Sequence, residues 1–404
     1  MFNGSSGELA AYDGTNFARN SDVVFVTPNM RLNYLGFLDV SAYGDERFKN
    51  SGNLGLTDMV LSLKWVRNNI AAFGGDPGNV TIVGQSGGCG KVTSLACLPA
   101  ADGLFDKVVM ISGPYLTFTK EHQLGEAAKL VKYLGLTDDD DVIGILKAMS
   151  YDELFAACKG AGVFEVAQID GDYFPSAWFD PATGKMNEYA AKRTYMISST
   201  FSELKTNGRR FVLDERYNSP IDMSYYRPNM TNEWKEQVIA DTFGDKAEAV
   251  KEAFMKAFPY HEVFDSVLYT NRVPITWDAD LNPGSLHCTR ACADNGVTVY
   301  NDLVAYNVPF MGGLSLWHTG DIAFWFNSLD RIEYQIKGDE ETAQYVADSL
   351  SSALASFAAN GDPSTPDLKW DPYTLEHPNS MVFDRQCYQG EAFDKEVLDL
   401  IYGN

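Results

Sequence analysis

One serine in this chain stands where it can become a nucleophile. Ser86 sits at the centre of Gly84-Gln85-Ser86-Gly87-Gly88, the single Gly-x-Ser-x-Gly in the sequence. Before it runs a β-branched segment, Val80-Thr81-Ile82-Val83, and after it a helical pattern that continues to about Leu98. A strand-to-helix turn of this kind lifts the serine hydroxyl out of the fold, and glycines leave room for the neighbouring backbone. The N–H that follows the serine, on Gly87 at the start of the helix, can point at a developing oxyanion. A phosphate-binding turn is the competing assignment, but the lysine-plus-hydroxyl ending of a P-loop is absent.

A serine hydroxyl needs a base, and imidazole titrates in the useful range. The chain has five histidines. His122 and His261 lie in polar helical stretches, His287 lies among further helical residues, and His377 precedes a proline. His318 follows a strand and the glycine-containing loop Met311-Gly312-Gly313, a place where a base can be held at a sheet edge. Position alone leaves the choice open. A carboxylate must also fix the imidazole tautomer. With 55 acidic residues, spacing cannot select one. If His318 is the base, a chain order of serine, acid and histidine puts it between residues 86 and 318.

These side chains need a scaffold. Short β-branched runs alternate with longer helical patterns, which predicts an α/β fold with a mostly parallel central sheet flanked by helices. Strands are expected at Val23–Val26, Val80–Val83, Val108–Ile111, Tyr195–Ile197 and Val297–Tyr300. Helices are expected from about Leu56 to Ile70 and from about Glu340 to Ala359, the latter ended by Asn360-Gly361-Asp362-Pro363. Residues 1–404 read as a single catalytic domain with helical insertions at roughly 115–193 and 205–295. The acidic run Asp138–Asp141 reads as a solvated helix start.

The net charge is -23, which repels phosphate backbones and anionic headgroups, so neither nucleic acid nor membrane is an expected partner. Six cysteines in 404 residues do not make a disulfide framework. His287-Cys288-x-x-x-Cys292 lacks a second ligand pair at zinc spacing, so no metal is expected. The opening residues carry no signal-peptide pattern, and together with reduced thiols they give a cytoplasmic expectation.

Longer motifs carry a resemblance. Gly52-Asn53-Leu54-Gly55-Leu56-Thr57-Asp58, Trp65-Val66-Arg67-Asn68-Asn69-Ile70, Phe73-Gly74-Gly75-Asp76-Pro77 and the serine turn together resemble type-B carboxylesterases, the family that includes cholinesterases. Asn29-Met30-Arg31-Leu32 upstream and Phe357-Ala358-Ala359-Asn360-Gly361-Asp362-Pro363 downstream are similar as well. The resemblance implies an α/β-hydrolase fold and hydrolysis of small-molecule carboxylic esters through an acyl-enzyme, with no cofactor. It also implies Ser86 as nucleophile, His318 as base, Glu203 as acid and Gly87 in the oxyanion hole. His318-Thr319-Gly320-Asp321 is similar to the family's histidine motif, with Asp321 the runner-up carboxylate. Glu203 follows a strand and a small polar turn, as the family's glutamate does, although Leu204 stands where the family often has glycine. The aromatic residues Trp234, Trp277 and Trp317 are candidates for lining the substrate pockets.

The family's His-Gly-Gly-Gly-type oxyanion loop and its first strands have no counterpart here. The expectation is therefore a Met1 internal to a longer gene product. A non-catalytic cholinesterase-like binding protein, or an inactive fragment lacking that loop, is the alternative. A lyase or acyltransferase on the same fold is a third. The presence of Ser86, Glu203 and His318 together favours the hydrolase.

Overall fold

The computed structural model describes residues 10–113, 118–137, 139–203, 226–269 and 284–403. The chain divides into two compact units, one of Val26–Arg193 and one of Thr194–Asn404 with Gly7–Phe25.

In the first unit, β1 (Thr81–Gln85) and β2 (Lys107–Ile111) pair in parallel, with Thr81 opposite Lys107 and Gln85 opposite Ile111. Parallel strands bury both faces and so read as runs of valine, isoleucine and methionine; every residue of β2 is buried. Helix α1 (Leu54–Asn69) leads towards β1, ending through a 3-10 turn whose chain reversal falls on Gly74 at φ 85°. Helix α2 (Gly87–Ala96) packs on β1 and β2. Among the residues predicted as the first insertion lies α3 (Lys120–Tyr133), whose Ala127 and Leu130 pack with Leu38, Ala157 and Cys158. The acidic run does start a helix: Asp141 accepts the Gly144 N–H at 2.8 Å, one of the donors a helix leaves open at its N-terminus.

In the second unit, β3 (Thr194–Thr200) pairs in parallel with β4 (Val299–Val304). A short antiparallel pair follows, β5 (Asn307–Val308) with β6 (Leu314–Ser315). Strand β7 (Asn379–Phe383) lies parallel beside β4 and turns back into antiparallel β8 (Tyr388–Glu391). Helix α4 (Ala247–Ala257) packs with α8 (Lys395–Tyr402), α5 (Ser285–Asp294) covers β3 and β4, and α6 (Ile322–Trp325) lies on the long α7 (Glu340–Asn360). Helix α7 ends on Gly361 at φ 76°, the left-handed cap that its glycine and the following proline predict. Strand β4 is buried throughout despite Asn301 and Asp302. Ser198 Oγ donates to Asp302 at 2.6 Å and Ser380 Oγ donates to Asn301 at 2.8 Å, which offsets their desolvation.

One expected strand does not form. Val23–Val26 belongs to no sheet, and Val24 and Val26 are 40% and 42% exposed. A strand requires a ladder partner, and no described segment pairs with this one. What anchors it is Phe25, packed edge-on against Phe17 and Phe326 at 5.9 and 5.1 Å.

Candidate active site

The serine turn is built by backbone constraint. Ser86 has φ 56° and ψ -120°, a conformation that costs on the order of 1–3 kcal/mol and persists only where the surroundings impose it. Its N–H donates to the Ile111 carbonyl at 2.9 Å, and its own carbonyl accepts from Cys89 N at 2.8 Å. The two bonds pin the residue between β2 and the first turn of α2. Strand and helix then cross so closely that a Cβ on Gly84 would lie 2.2 Å from the Gly88 carbonyl oxygen. Only glycine fits there. Beneath the turn the buried Cys89 directs its thiol at the Gly84 and Ile111 carbonyls, 3.0 and 3.1 Å away, and so acts as a small polar filler. Gly87 is the first residue of α2, and the leading N–H groups of a helix have no intrahelical acceptor.

Glu203 and His318, separated by 115 positions, meet in the second unit. His318 Nδ1 lies 2.6 Å from Glu203 Oε2. A carboxylate there accepts a hydrogen bond from Nδ1–H, which holds the proton on Nδ1 and leaves Nε2 as the basic nitrogen. The backbone is zipped alongside. His318 N donates to the Glu203 carbonyl at 2.9 Å, Ser202 N donates to Leu316 O at 3.1 Å, and Glu203 bridges Trp317 in parallel. Glu203 Oε1 accepts the Thr200 N–H at 2.8 Å, so both carboxylate oxygens are engaged. Glu203 itself has φ 38° and Thr319 has φ 79°, so both residues that flank the contact sit in the left-handed region. Both side chains are buried.

Asp321 is placed differently from Glu203. It is fully buried, and its Oδ2 accepts the Trp325 Nε1–H at 3.0 Å rather than meeting the imidazole. Burial, with the nearby Glu203 charge adding to it, pushes its carboxyl up to about 7. It braces α6. The Trp325 contact was legible as an i,i+4 pair on a helical turn, whereas the role of the Thr200 N–H carried no side-chain signal. Trp317 is buried against the dyad and Trp234 packs on Phe264 at the surface, with centroids 5.6 Å apart. Trp277 lies outside the described residues. The described cysteines are all free thiols, and His287 is exposed on α5. No group of three or more His, Cys, Asp or Glu among the described residues is arranged to hold a metal. No described helix is long and apolar enough to cross a membrane.

The strand–turn–helix serine and the mostly parallel sheet define an α/β-hydrolase. Residues 1–399 match the carboxylesterase family, and the chain belongs to it. The chain is 28% identical over 383 residues to the para-nitrobenzyl esterase of Bacillus subtilis, spanning 94% of this chain and 73% of that protein. It is 23% identical over 413 residues to an acetylcholinesterase of Leptinotarsa decemlineata, of which it spans 61%. Among solved structures, an esterase from Clostridium hathewayi described as hydrolysing aliphatic aromatic polyesters superposes with a TM-score of 0.83 at 29% identity. That match covers all of this chain and 77% of the other. Family and neighbours together support ester hydrolysis by a serine carboxylesterase.

Proposed function

We infer that Ser86, His318 and Glu203 act as one catalytic triad on small carboxylic esters, aryl and benzyl esters among them. The observation that carries this reading is the 2.6 Å contact between His318 Nδ1 and Glu203, because it fixes the tautomer in which Nε2 carries the basic lone pair. His318 Nε2 takes the Ser86 proton as the serine oxygen attacks the ester carbonyl. The carbonyl π electrons move onto oxygen, where the Gly87 N–H stabilises them. The tetrahedral adduct collapses, the alcohol leaves with the proton returned by His318, and an acyl-serine ester remains. Water, deprotonated by the same imidazole, repeats the attack and releases the acid. No step calls for a metal or an organic cofactor. The para-nitrobenzyl esterase relative and the polyester-hydrolysing neighbour suggest aromatic esters as the first substrates to assay.

The test is a fluorophosphonate probe combined with p-nitrophenyl acetate turnover. Ser86→Ala is expected to abolish labelling and to lower kcat by roughly 10⁵-fold or more, as loss of a triad nucleophile does. Labelling that persists in Ser86→Ala, or a wild-type protein that neither labels nor turns over, overturns the reading.

A further inference from the structure

Behind the Glu203 turn lies a set of buried charges that ester hydrolysis does not use. His261, Asp265, Asp384 and Arg227 are all inaccessible to solvent or nearly so. His261 Nδ1 is 3.0 Å from Asp265 Oδ2, and its Nε2 is 3.4 Å from Asp384 Oδ2. Arg227 pairs with Asp265 and also reaches Glu262 at 3.2 Å, which Lys235 holds in turn at 2.6 Å. Buried charges of this kind stand or fall together, since removing one strands its partner.

The set touches both segments that carry the dyad. On the acid side, Phe201 stands two residues before Glu203, and its ring stacks on the His261 imidazole with centroids 4.4 Å apart and planes 16° from parallel. Phe258 and Tyr269 wall the same ring at 5.2 and 5.0 Å. On the base side, Asn307 of β5 donates to Asp265 Oδ2 at 3.0 Å, and β5 pairs with β6, the strand that runs into His318. The loop joining β5 to β6 rests on the same group: a Cβ on Gly312 would fall 2.5 Å from Pro228 and 3.2 Å from the Arg227 side chain.

We propose that this buried ion cluster, centred on His261 and Asp265, is the positioning element that holds Glu203 in register with His318 by gripping both arms from one point. The proposal rests on the triad reading above. Its consequence is a dependence on the His261 charge. Burial opposes a charged imidazole there, but the hydrogen bonds and charges of Asp265 and Asp384 outweigh that penalty and raise His261 to about 9. Asp265 faces it from its own segment, Asp384 from the end of β7, and Arg227 from across Asp265, while Phe201 and Phe258 are neutral neighbours. Once His261 loses its proton, two carboxylates remain against one guanidinium and the grip loosens.

Two readouts test this, neither of which a purely structural role moves. One is the low-field proton resonance of the His318 Nδ1–H bridge to Glu203. The other is the split between kcat and KM on p-nitrophenyl acetate. His261→Gln is expected to shift or broaden the resonance and to lower kcat about 10- to 100-fold with KM little changed, since a small misplacement of catalytic groups costs that much. In the wild type the same fall in kcat is expected reversibly, with a midpoint near pH 9 and an unchanged circular dichroism spectrum. A folded His261→Gln protein with the wild-type resonance and a kcat within about twofold of wild type overturns the proposal. Should that variant not fold, the wild-type titration decides alone, and a kcat that stays flat to pH 10 overturns it. Failure of the triad reading is separate: it shows as absent fluorophosphonate labelling of wild-type Ser86, whatever the resonance does.

Discussion

The serine turn and the Glu203–His318 pair are held by different means. Ser86 is fixed by its own neighbourhood: five consecutive residues, two backbone hydrogen bonds and one crossing that only glycine permits at position 84. Glu203 and His318 are fixed by tertiary structure, brought together across 115 positions by a backbone bridge, with a buried ionic cluster behind them. The proposed nucleophile thus sits on a strained turn, whereas the Glu203–His318 dyad is a long-range polar assembly. Damage should therefore reach them differently. Chemistry at the dyad is vulnerable to loss of one charge or one proton acceptor, whereas the serine turn tolerates side-chain changes that leave its backbone bonds in place.

Glu203→Gln is the largest blow to the dyad short of removing a triad side chain outright. The amide can offer its NH₂ to Nδ1, which then becomes an acceptor, and the proton moves to Nε2, where the base is needed. The imidazolium also loses its counter-charge. A fall of about 10⁴-fold in kcat is expected, as for the corresponding amide in a serine triad. The fold should persist, because Thr200 N retains an oxygen acceptor. Steady-state kinetics alongside thermal unfolding check this. A kcat within tenfold of wild type would move the acid role away from Glu203 and erase the contrast drawn above.

The same contrast explains what could be read from sequence. Gly84-Gln85-Ser86-Gly87-Gly88 between strand and helix carries most of its geometric requirements in adjacent positions, so the turn was legible as a pattern, although the Ser86 N–H bond to Ile111 was not. β2, β3, β4 and α7 were legible for the same reason, being apolar runs or helical periods ended by glycine and proline. The acid proposed at Glu203 was not legible from residue chemistry, because residue type and spacing do not single out one of 55 carboxylates. Resemblance to a family supplied it. The burial of His261 was not legible in its polar surroundings, because it depends on Asp265 and Asp384, which make a buried imidazole tolerable. Val23–Val26 failed for the converse reason, since β propensity without a ladder partner does not make a strand.

Asp321 sharpens the comparison within the second unit. It is the runner-up acid, yet it spends its oxygen on Trp325 and not on the imidazole. Its folded value of about 7 lies above the ordinary 3.8, because burial and the Glu203 charge disfavour the anion. Between those two values the folded protein binds more protons than the unfolded chain, so stability falls as pH rises from about 4 to about 7 and is level above that. Asp321→Asn removes this penalty while keeping an acceptor for Trp325. A gain on the order of 2–4 kcal/mol is expected at pH 8, vanishing near pH 4, with activity retained within about threefold. Denaturant unfolding at both pH values tests the stability change. Loss of activity comparable to Glu203→Gln would instead place Asp321 in the triad.

The smallest effect is expected under the nucleophile itself. Cys89 fills the space below Ser86 and offers its S–H to either of two carbonyls, but those carbonyls belong to chains already tied by the Ser86 N–H to Ile111 bond and the Cys89 N–H to Ser86 bond. Cys89→Ala keeps both backbone bonds and removes only the sulfur, which packs like a small apolar atom with a weak donor. The cost in stability should be about 1 kcal/mol, and the rate of fluorophosphonate labelling per folded molecule should stay within about twofold. If labelling collapses while the protein remains folded, the thiol and not the backbone holds the serine in its left-handed conformation. The serine turn would then depend on a single buried side chain as much as the dyad does.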